Sequence, residues 1–189
     1  MIDVNELRKG VTYKIGNDIY KVLDYQHNKP GRGAATIRVK ARNLRTGTTL
    51  EKTFGSGVRV ENIRLDYRSL QYLYTDGNLY YFMDTETFEQ PAVNKEMLRD
   101  LAGFLKPNIE VKFTYFETEP IDVELPTTID FEVVEAQASI RGDTATGVNK
   151  RVKIETGFEV DVPAFINKGD IIRIDTRTGE YITRVQAKN

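Results

Sequence analysis

The stretch AATIRVKARNL, Ala34 to Leu44, alternates apolar and polar side chains. Neighbouring side chains of an extended strand point to opposite faces, so this alternation predicts a half-buried strand. Its apolar face comprises Ala35, Ile37, Val39 and Ala41, and its other face comprises Arg38, Lys40 and Arg42. A strand with one buried face needs partner strands, and we expect the flanking sequence to supply them.

Short runs of strand-forming residues surround this stretch. Val11 to Tyr25 is rich in β-branched and aromatic residues, and Gly16-Asn17-Asp18 interrupts it with a predicted hairpin turn. Thr46-Gly47 predicts a second turn, which leads into a strand that ends at Phe54. Four or five short strands within about sixty residues are typical of a small β-barrel.

Two further blocks follow along the chain. LQYLYTDGNLYYFMD predicts a hairpin around Asp76-Gly77, and NKEMLRDLAGFL predicts one helix, capped by Asn94 and stopped by Pro107. Strands on both sides of a single helix indicate a five-stranded OB-type barrel. The last block again predicts strands, without a clear helix. We therefore predict an all-β protein of three consecutive small barrels, over residues 1–63, 64–127 and 128–189.

Charge is distributed unevenly over these segments. Residues 1–63 carry 12 Lys and Arg against 6 Asp and Glu, whereas residues 64–128 carry 6 against 12. The basic first segment predicts contact with nucleic acid, although ordinary variation in surface charge is the alternative explanation. The acidic middle segment does not predict such contact.

The composition leaves little room for catalysis. Cysteine is absent and histidine occurs once, at His27, so thiol chemistry is excluded and histidine-based metal or catalytic sites are disfavoured. A carboxylate-based hydrolase would have to use scattered acids, namely Asp84, Glu86, Glu89, Asp143 and Asp175. We predict a protein that is not an enzyme, with no metal and no cofactor. No apolar run has the length of a membrane span, so we expect a cytoplasmic protein that does not contact membranes.

The cationic face of the first stretch predicts a phosphate-binding surface. No acidic residue occurs between Lys29 and Arg45. Arg38, Lys40 and Arg42 would stand about 6.7 Å apart on one strand face, a spacing suited to a run of phosphates. Lys52 on the following strand is predicted to extend the row. The alternative is an ordinary solvated face, although such faces usually mix both signs of charge.

Directly before this strand, the sequence KPGRG predicts a bare loop with a single guanidinium. Gly31 and Gly33 remove side-chain bulk on both sides of Arg32, and Pro30 restricts the turn. Arg32 would then project five hydrogen-bond donors and a permanent charge. A simple hairpin turn is the alternative interpretation.

Over nearly its whole length, the sequence resembles bacterial translation elongation factor P. The resemblance rests on KPGRGAA, LRTGTTLEKTF, QYLYTDG, YYFMDTETFEQ, RGDTATG and VPAFINKGDIIRIDTRTGEY, in this order and spacing. It implies an SH3-like, KOW-type N-terminal barrel, two OB-fold domains and an L-shaped outline similar to tRNA. It also implies a monomer that binds both ribosomal subunits between the peptidyl and exit tRNA sites and promotes peptide-bond formation at consecutive prolines.

The resemblance also implies roles for individual residues. Arg32 would point to the peptidyl-transferase centre, while the cationic face of the first barrel would follow the acceptor arm of the peptidyl-tRNA. Gly142, Asp143 and Thr144 match a loop that relatives place near messenger RNA in the exit site. Tyr181 and Arg184 match C-terminal positions that are important for function in relatives.

Two questions stay open at this point. Many relatives carry a lysine that is enzymatically lengthened where this chain has Arg32, so the first open question is whether a modifying enzyme is a further partner. We expect Arg32 itself to be unmodified. The competing functions are a general RNA or single-stranded DNA binder built from OB barrels, and a paralogue of the factor with a narrower ribosomal role.

Overall fold

The computed structural model describes residues 1–29, 35–136 and 149–188 of the 189-residue chain. Within these ranges the chain consists mainly of strands arranged in three sheets, which confirms the predicted all-β class. In the same ranges, no helix has the length and apolar character needed to cross a membrane.

The first sheet is built from the N-terminal third of the chain. Its strands are β1 (Ile2–Asp3), β2 (Thr12–Ile15), β3 (Asp18–Asn28), β4 (Thr36–Asn43), β5 (Thr49–Gly55) and β6 (Arg59–Asn62). They lie in the order β1-β6-β2-β3-β4-β5, with a short 3₁₀ helix, Val4–Glu6, after β1. The turn between β2 and β3 falls at Gly16-Asn17, as predicted.

The alternation along β4 explains its central place in this sheet. Ile37, Val39 and Ala41 are completely buried, whereas Arg38 and Lys40 are exposed. The predicted division of the strand into an apolar and a cationic face is therefore confirmed for these residues. Burial of an aliphatic side chain such as Ile or Val contributes about 1.5–3 kcal/mol relative to exposure, which fixes the face that β4 turns to the core.

The second sheet follows in the chain. Its strands are β7 (Asp66–Thr75), β8 (Leu79–Asp84), β9 (Ala92–Asn94), β10 (Glu110–Phe116) and β11 (Glu119–Glu124), in the order β11-β10-β7-β8-β9. The hairpin predicted at Asp76-Gly77 joins β7 and β8. Asp76 Oδ1 accepts the backbone N–H groups of Asn78 and Leu79, and Gly77 has a φ of 97°, a conformation that favours glycine.

The helix predicted after β9 is broken. Asn94 caps it as expected, since its side-chain oxygen accepts the Met97 N–H at 3.1 Å. However, helix α1 spans only Lys95–Leu98, and a 3₁₀ helix, Arg99–Phe104, takes over. Arg99 has a φ of 54°, outside the α-helical region, so the hydrogen-bond ladder cannot continue through it. The tighter 3₁₀ turns then bring Phe104 into a buried position.

The third sheet occupies the C-terminal third. Its strands are β12 (Thr128–Ala136), β13 (Asn149–Ile154), β14 (Glu159–Pro163), β15 (Ile171–Asp175) and β16 (Glu180–Gln186). They lie in the order β14-β13-β12-β15-β16, so β14 and β16 are the two edges. Phe104 joins the core of this sheet, where its ring centroid lies 6.3 Å from that of Phe131.

Contacts divide the chain into two compact units. One comprises Met1–Arg68 and Phe113–Val123, and the other comprises Ser69–Lys112 and Glu124–Asn189. In the first unit, Ile121 is buried together with Ile19, Leu44 and Ile63. In the second unit, Lys106 Nζ donates a hydrogen bond to the Asp130 carbonyl oxygen at 2.6 Å, which links the segment before β10 to β12. The segments 1–63, 64–127 and 128–189 are retained as a proposal for the domain organisation.

Candidate nucleic-acid interface

The candidate surface is built on the β3–β4 hairpin. The two strands pair antiparallel up to Asn28 opposite Thr36, so the connecting segment 29–35 leaves from a hydrogen-bonded strand end. The predicted loop residues Pro30, Gly31, Arg32 and Gly33 lie outside the described residues. Lys29, the last described residue before them, directly follows the end of β3 and is exposed.

Arg38 and Lys40 lie on the outer face of β4 but have different neighbours. Gln26 and Thr53 flank Arg38 on the adjacent strands. Lys40 stands opposite Asp24 on β3 and Glu51 on β5. Residues opposite one another in a sheet have Cβ atoms about 4.5–5.5 Å apart, so both acids lie close enough to offset the charge of Lys40. Arg38 therefore presents the stronger positive field of the two.

Arg42, the third cation of the predicted row, has an acidic partner from a distant part of the chain. Its Nη2 lies 3.9 Å from Asp122 Oδ1, and the Asp122 side chain is only 4% exposed. A buried carboxylate is stabilised by a cation beside it, so Arg42 is held by the protein's own charge. The Arg42 side chain nevertheless remains 39% exposed, so its predicted contact with phosphates stays a prediction, with part of its charge offset by Asp122.

Lys52 lies on the opposite face of the sheet from Arg38 and Lys40. It pairs with Val39, whose side chain points into the core. Its Nζ lies 3.2 Å from the Tyr20 hydroxyl and 4.3 Å from the centroid of that ring. Residues directly opposite one another in a sheet lie on the same face, so Lys52 shares the face of Val39. The prediction that Lys52 extends the row of Arg38 and Lys40 was therefore wrong.

Arg45, which follows β4, is engaged in an ion pair that the sequence did not reveal. Its guanidinium binds both carboxylate oxygens of Glu119, and the Nη2–Oε2 distance is 2.8 Å. The hydrogen bond from Arg45 lowers the pKa of Glu119, and the same contact raises the pKa of Arg45. The described cationic surface is therefore concentrated at Lys29 and Arg38, with Lys40 partly offset.

The loop predicted to approach messenger RNA leaves from the third sheet. Gly142, Asp143 and Thr144 lie outside the described residues. β12 and β13 flank this segment, and they pair with Ala136 opposite Val152.

Tyr181 and Arg184 both lie on β16 but have separate surroundings. Tyr181 pairs with Ile174 and packs against the core of the third sheet. Arg184 lies over the Phe165 ring at 5.1 Å, and its Nη1 is 3.5 Å from Asp170 Oδ2. Both side chains have structural contacts, in addition to any binding role.

Two of the acids considered for catalysis, Asp84 and Asp175, stabilise turns through their side-chain oxygens. Asp84 is buried, and its Oδ1 accepts the backbone N–H groups of Glu86 and Thr87. Asp175 accepts hydrogen bonds from Arg177, which lower its pKa to about 2. Asp143 lies outside the described residues. Across residues 1–29, 35–136 and 149–188, no group of three His, Cys, Asp or Glu residues is arranged to hold a metal ion.

Three family models match consecutive parts of the chain. Residues 3–60 match the elongation factor P KOW-like domain, residues 65–123 match the elongation factor P OB domain, and residues 129–184 match the elongation factor P C-terminal domain. The first two matches support a KOW-like domain followed by an OB domain, in agreement with the predicted order of these two architectures.

Curated relatives match over the full chain. Elongation factor P of Moorella thermoacetica is 47% identical over 184 residues, which is 97% of this chain and 100% of that protein. Elongation factor P of a Thermoanaerobacter species is 48% identical over 185 residues, which is 98% of this chain and 100% of that protein.

Solved structures of a second kind of translation factor share the fold. Eukaryotic translation initiation factor 5A from Methanococcus jannaschii aligns with a TM-score of 0.50 and 24% identity, over 66% of this chain and 90% of that chain. A translation initiation factor 5A family protein from Naegleria fowleri aligns with a TM-score of 0.50 and 15% identity, over 66% of this chain and 96% of that one. At these identities the likeness concerns the fold alone.

Proposed function

Because the chain belongs to the elongation factor P family of translation factors, we propose that it binds the ribosome between the peptidyl and exit tRNA sites. There it positions the peptidyl-tRNA and promotes peptide-bond formation, above all at consecutive prolines. The observation that carries this proposal is the β3–β4 hairpin, which is paired up to Asn28 and Thr36 and has Arg38 exposed beside the segment containing Arg32. The predicted cytoplasmic location and the monomeric state belong to the same proposal.

The physical basis of this function is positioning. Proline has a fixed φ and a secondary amine, so consecutive prolines hold the nascent chain in a geometry that is poor for reaction. A protein that holds the peptidyl-tRNA near its reactive arrangement lowers the entropic part of the activation barrier. Such preorganisation is worth several kcal/mol. The ribosome forms the bond, and this protein takes no catalytic part.

Individual contacts are assigned within this proposal. Arg32, flanked by Pro30, Gly31 and Gly33, approaches the peptidyl-transferase centre. Lys29 and Arg38 bind the sugar-phosphate backbone of the acceptor arm, because cations of this kind position a protein on nucleic acid without reading its sequence. Gly142, Asp143 and Thr144 approach messenger RNA, and Tyr181 and Arg184 support C-terminal binding.

Replacement of Arg32 tests the central contact. Arg32→Ala should slow translation through a Pro-Pro-Pro reporter while leaving a reporter without prolines unchanged, because only the reaction that needs positioning loses it. The matched control is Arg59→Ala, which removes an exposed arginine from β6 of the same sheet. Circular dichroism checks that the variants fold, and co-sedimentation checks that they bind ribosomes. The intact mass of the native protein shows whether Arg32 is modified. Normal polyproline synthesis by the folded Arg32→Ala protein would contradict the role of Arg32.

Arg38 and Lys40 should contribute unequally to RNA binding. Arg38→Gln is expected to weaken binding to an acceptor-stem RNA and to lower the salt dependence by about one released counterion. Lys40→Gln should have a smaller effect, since Asp24 and Glu51 stand opposite Lys40 on the two adjacent strands. Fluorescence anisotropy against salt concentration measures both slopes.

A single-stranded DNA of equal length serves as the comparator in this titration. Preference for the acceptor stem supports the translation-factor assignment. Equal affinity for both nucleic acids would favour a general single-strand binder, and an equal loss from the two variants would contradict the assignment of Arg38 as the principal contact.

A further inference from the structure

The C-terminal sheet contains an open seam between its two edge strands. β14 and β16 are at opposite ends of the strand order, yet the curvature of the sheet brings them close together without pairing. A groove of about 510 Å³ lies along this seam. Its lining includes β14 and the turn and first residues of β16, from Thr178 to Tyr181.

The backbone of β14 has hydrogen-bonding groups directed into the seam. The Ile154 N–H donates to the Phe158 carbonyl oxygen at 3.0 Å, which makes these two residues a hydrogen-bonded pair. Hydrogen-bonded and non-hydrogen-bonded pairs alternate along an antiparallel ladder. Val160, opposite Val152, is therefore bonded to β13, and the peptide groups of Glu159 and Asp161 face away from it.

The charged side chains that line the groove are all acidic. They are Glu159, Asp161 and Glu180. Arg151 binds Asp161 with an Nε–Oδ1 distance of 3.0 Å, but among the described residues neither Glu159 nor Glu180 forms an ion pair. Phe158, Pro163 and Tyr181 supply apolar surface beside these acids. The groove thus offers a negative field next to aromatic rings and a free strand edge.

We propose that this groove binds an extended, lysine- and arginine-rich segment of a partner protein, added as a strand alongside β14. The free edge supplies backbone hydrogen bonds, which is the usual means by which an extended peptide joins a sheet. Glu159 lies on the same face of β14 as Asp161, and Asp161 is already bound by Arg151, so a cation of the added strand meets Glu159 while Glu180 is available to a second cation. Tyr181 offers a ring for cation–π contact.

Nucleic acid is a poor occupant of the same groove. A phosphodiester backbone would meet the carboxylates of Glu159 and Glu180 without a compensating cation in the lining. Like charges at close range oppose binding and select against the wrong partner. The seam is therefore distinct in chemistry from the cationic face of β4, and its occupant is a polycationic peptide.

A titration of the full-length, isotope-labelled protein with the peptide Ac-Val-Lys-Val-Lys-Val-Lys-NH₂ tests this proposal. Amide chemical shifts should change at residues 159–163 and 178–181, with a dissociation constant that rises with salt. Glu159→Gln combined with Glu180→Gln should weaken binding about fivefold to tenfold, as expected for the loss of two solvent-accessible ion pairs. The matched control combines Glu86→Gln with Glu132→Gln, which removes two exposed charges outside the groove and should leave binding unchanged.

Two comparison ligands separate a strand-binding groove from a general cation site. Spermidine carries a similar charge without a peptide backbone, and the same peptide with alternate N-methylated amides cannot bond to the edge of β14. Both should bind more weakly than the parent peptide. The proposal is overturned if spermidine binds equally well, if the shifts map elsewhere, if the peptide does not bind, or if an RNA oligonucleotide occupies the groove instead.

Discussion

Phe104→Ala should lower the free energy of unfolding by about 3–5 kcal/mol, the range found when a buried aromatic side chain is truncated. Phe104 is 3% exposed and belongs to the core of the third sheet, although it comes from the 3₁₀ helix that precedes this sheet in the chain. Its ring centroid lies 4.6 Å from that of Phe158. Truncation removes this contact and leaves a cavity that rigid strands cannot close.

Chemical denaturation of the full-length protein measures this loss. Phe88→Ala is the matched control, because Phe88 is 70% exposed and its truncation should cost much less. Phe104→Leu should recover part of the stability, since it refills some of the volume. A Phe104→Ala protein as stable as the Phe88→Ala protein would show that Phe104 does not contribute to this core in solution.

The sequence predicted those parts of the fold that depend on local patterns. The alternation from Ala35 to Ala41 located a strand and its buried face, and Asp76-Gly77 located a hairpin by its turn chemistry. The same reasoning failed for the helix after Asn94. Its apolar spacing suits an α-helix, but Arg99 adopts a positive φ and Phe104 packs into the third sheet. Such long-range packing overrides local propensity and has no local signature.

The candidate site shows the same limit in its charges. The segment from Lys29 to Arg45 contains no acidic residue, and its alternation correctly predicted Arg38 and Lys40 as exposed cations on one face of the strand. Asp24 and Glu51 come beside Lys40 only through pairing with β3 and β5. A sequence pattern can assign faces within one strand, whereas the charge of a surface depends on its neighbours in the sheet.

The partners of two arginines lie still further away in sequence. Asp122 and Glu119, which hold Arg42 and Arg45, are more than seventy residues from them. No spacing rule links residues at this separation. These ion pairs reduce the positive charge that Arg42 and Arg45 present to a ligand.

Asp170→Ala is the second substitution with a large expected effect, a loss of about 2–4 kcal/mol at neutral pH. The Asp170 side chain is 3% exposed. Its oxygens accept the backbone N–H groups of Asn167 and Lys188, each at 2.9 Å, and Arg184 lies 3.5 Å away. Removal of this buried carboxylate leaves the part-buried N–H groups of Asn167 and Lys188 without their acceptor, so the turn before β15 and the residues around Lys188 lose a shared hydrogen-bonding partner.

The same contacts make the stability contributed by the Asp170 carboxylate depend on pH. Burial by itself would raise the pKa of Asp170, but the hydrogen bonds from Asn167 and Lys188, together with Arg184, hold that pKa below its ordinary value. The folded state therefore binds the Asp170 proton more weakly than the unfolded state. The stabilisation is complete above about pH 4, the ordinary aspartate pKa, and is lost as the pH falls through the lower folded value.

Denaturation curves between pH 7 and pH 2 separate this carboxylate from the others. The wild-type protein should lose stability below about pH 4, and Asp170→Asn, which keeps one acceptor oxygen, should start less stable at pH 7 and lose less on acidification. Asp161→Asn is the control, since Asp161 is exposed and its removal should barely change stability at pH 7. If Asp170→Asn were as stable as the wild-type protein at pH 7 and had the same acid profile, the Asp170 carboxylate would not stabilise the C-terminal strand. A carboxylate that is hydrogen-bonded only in the folded state must affect both the stability at pH 7 and its dependence on pH.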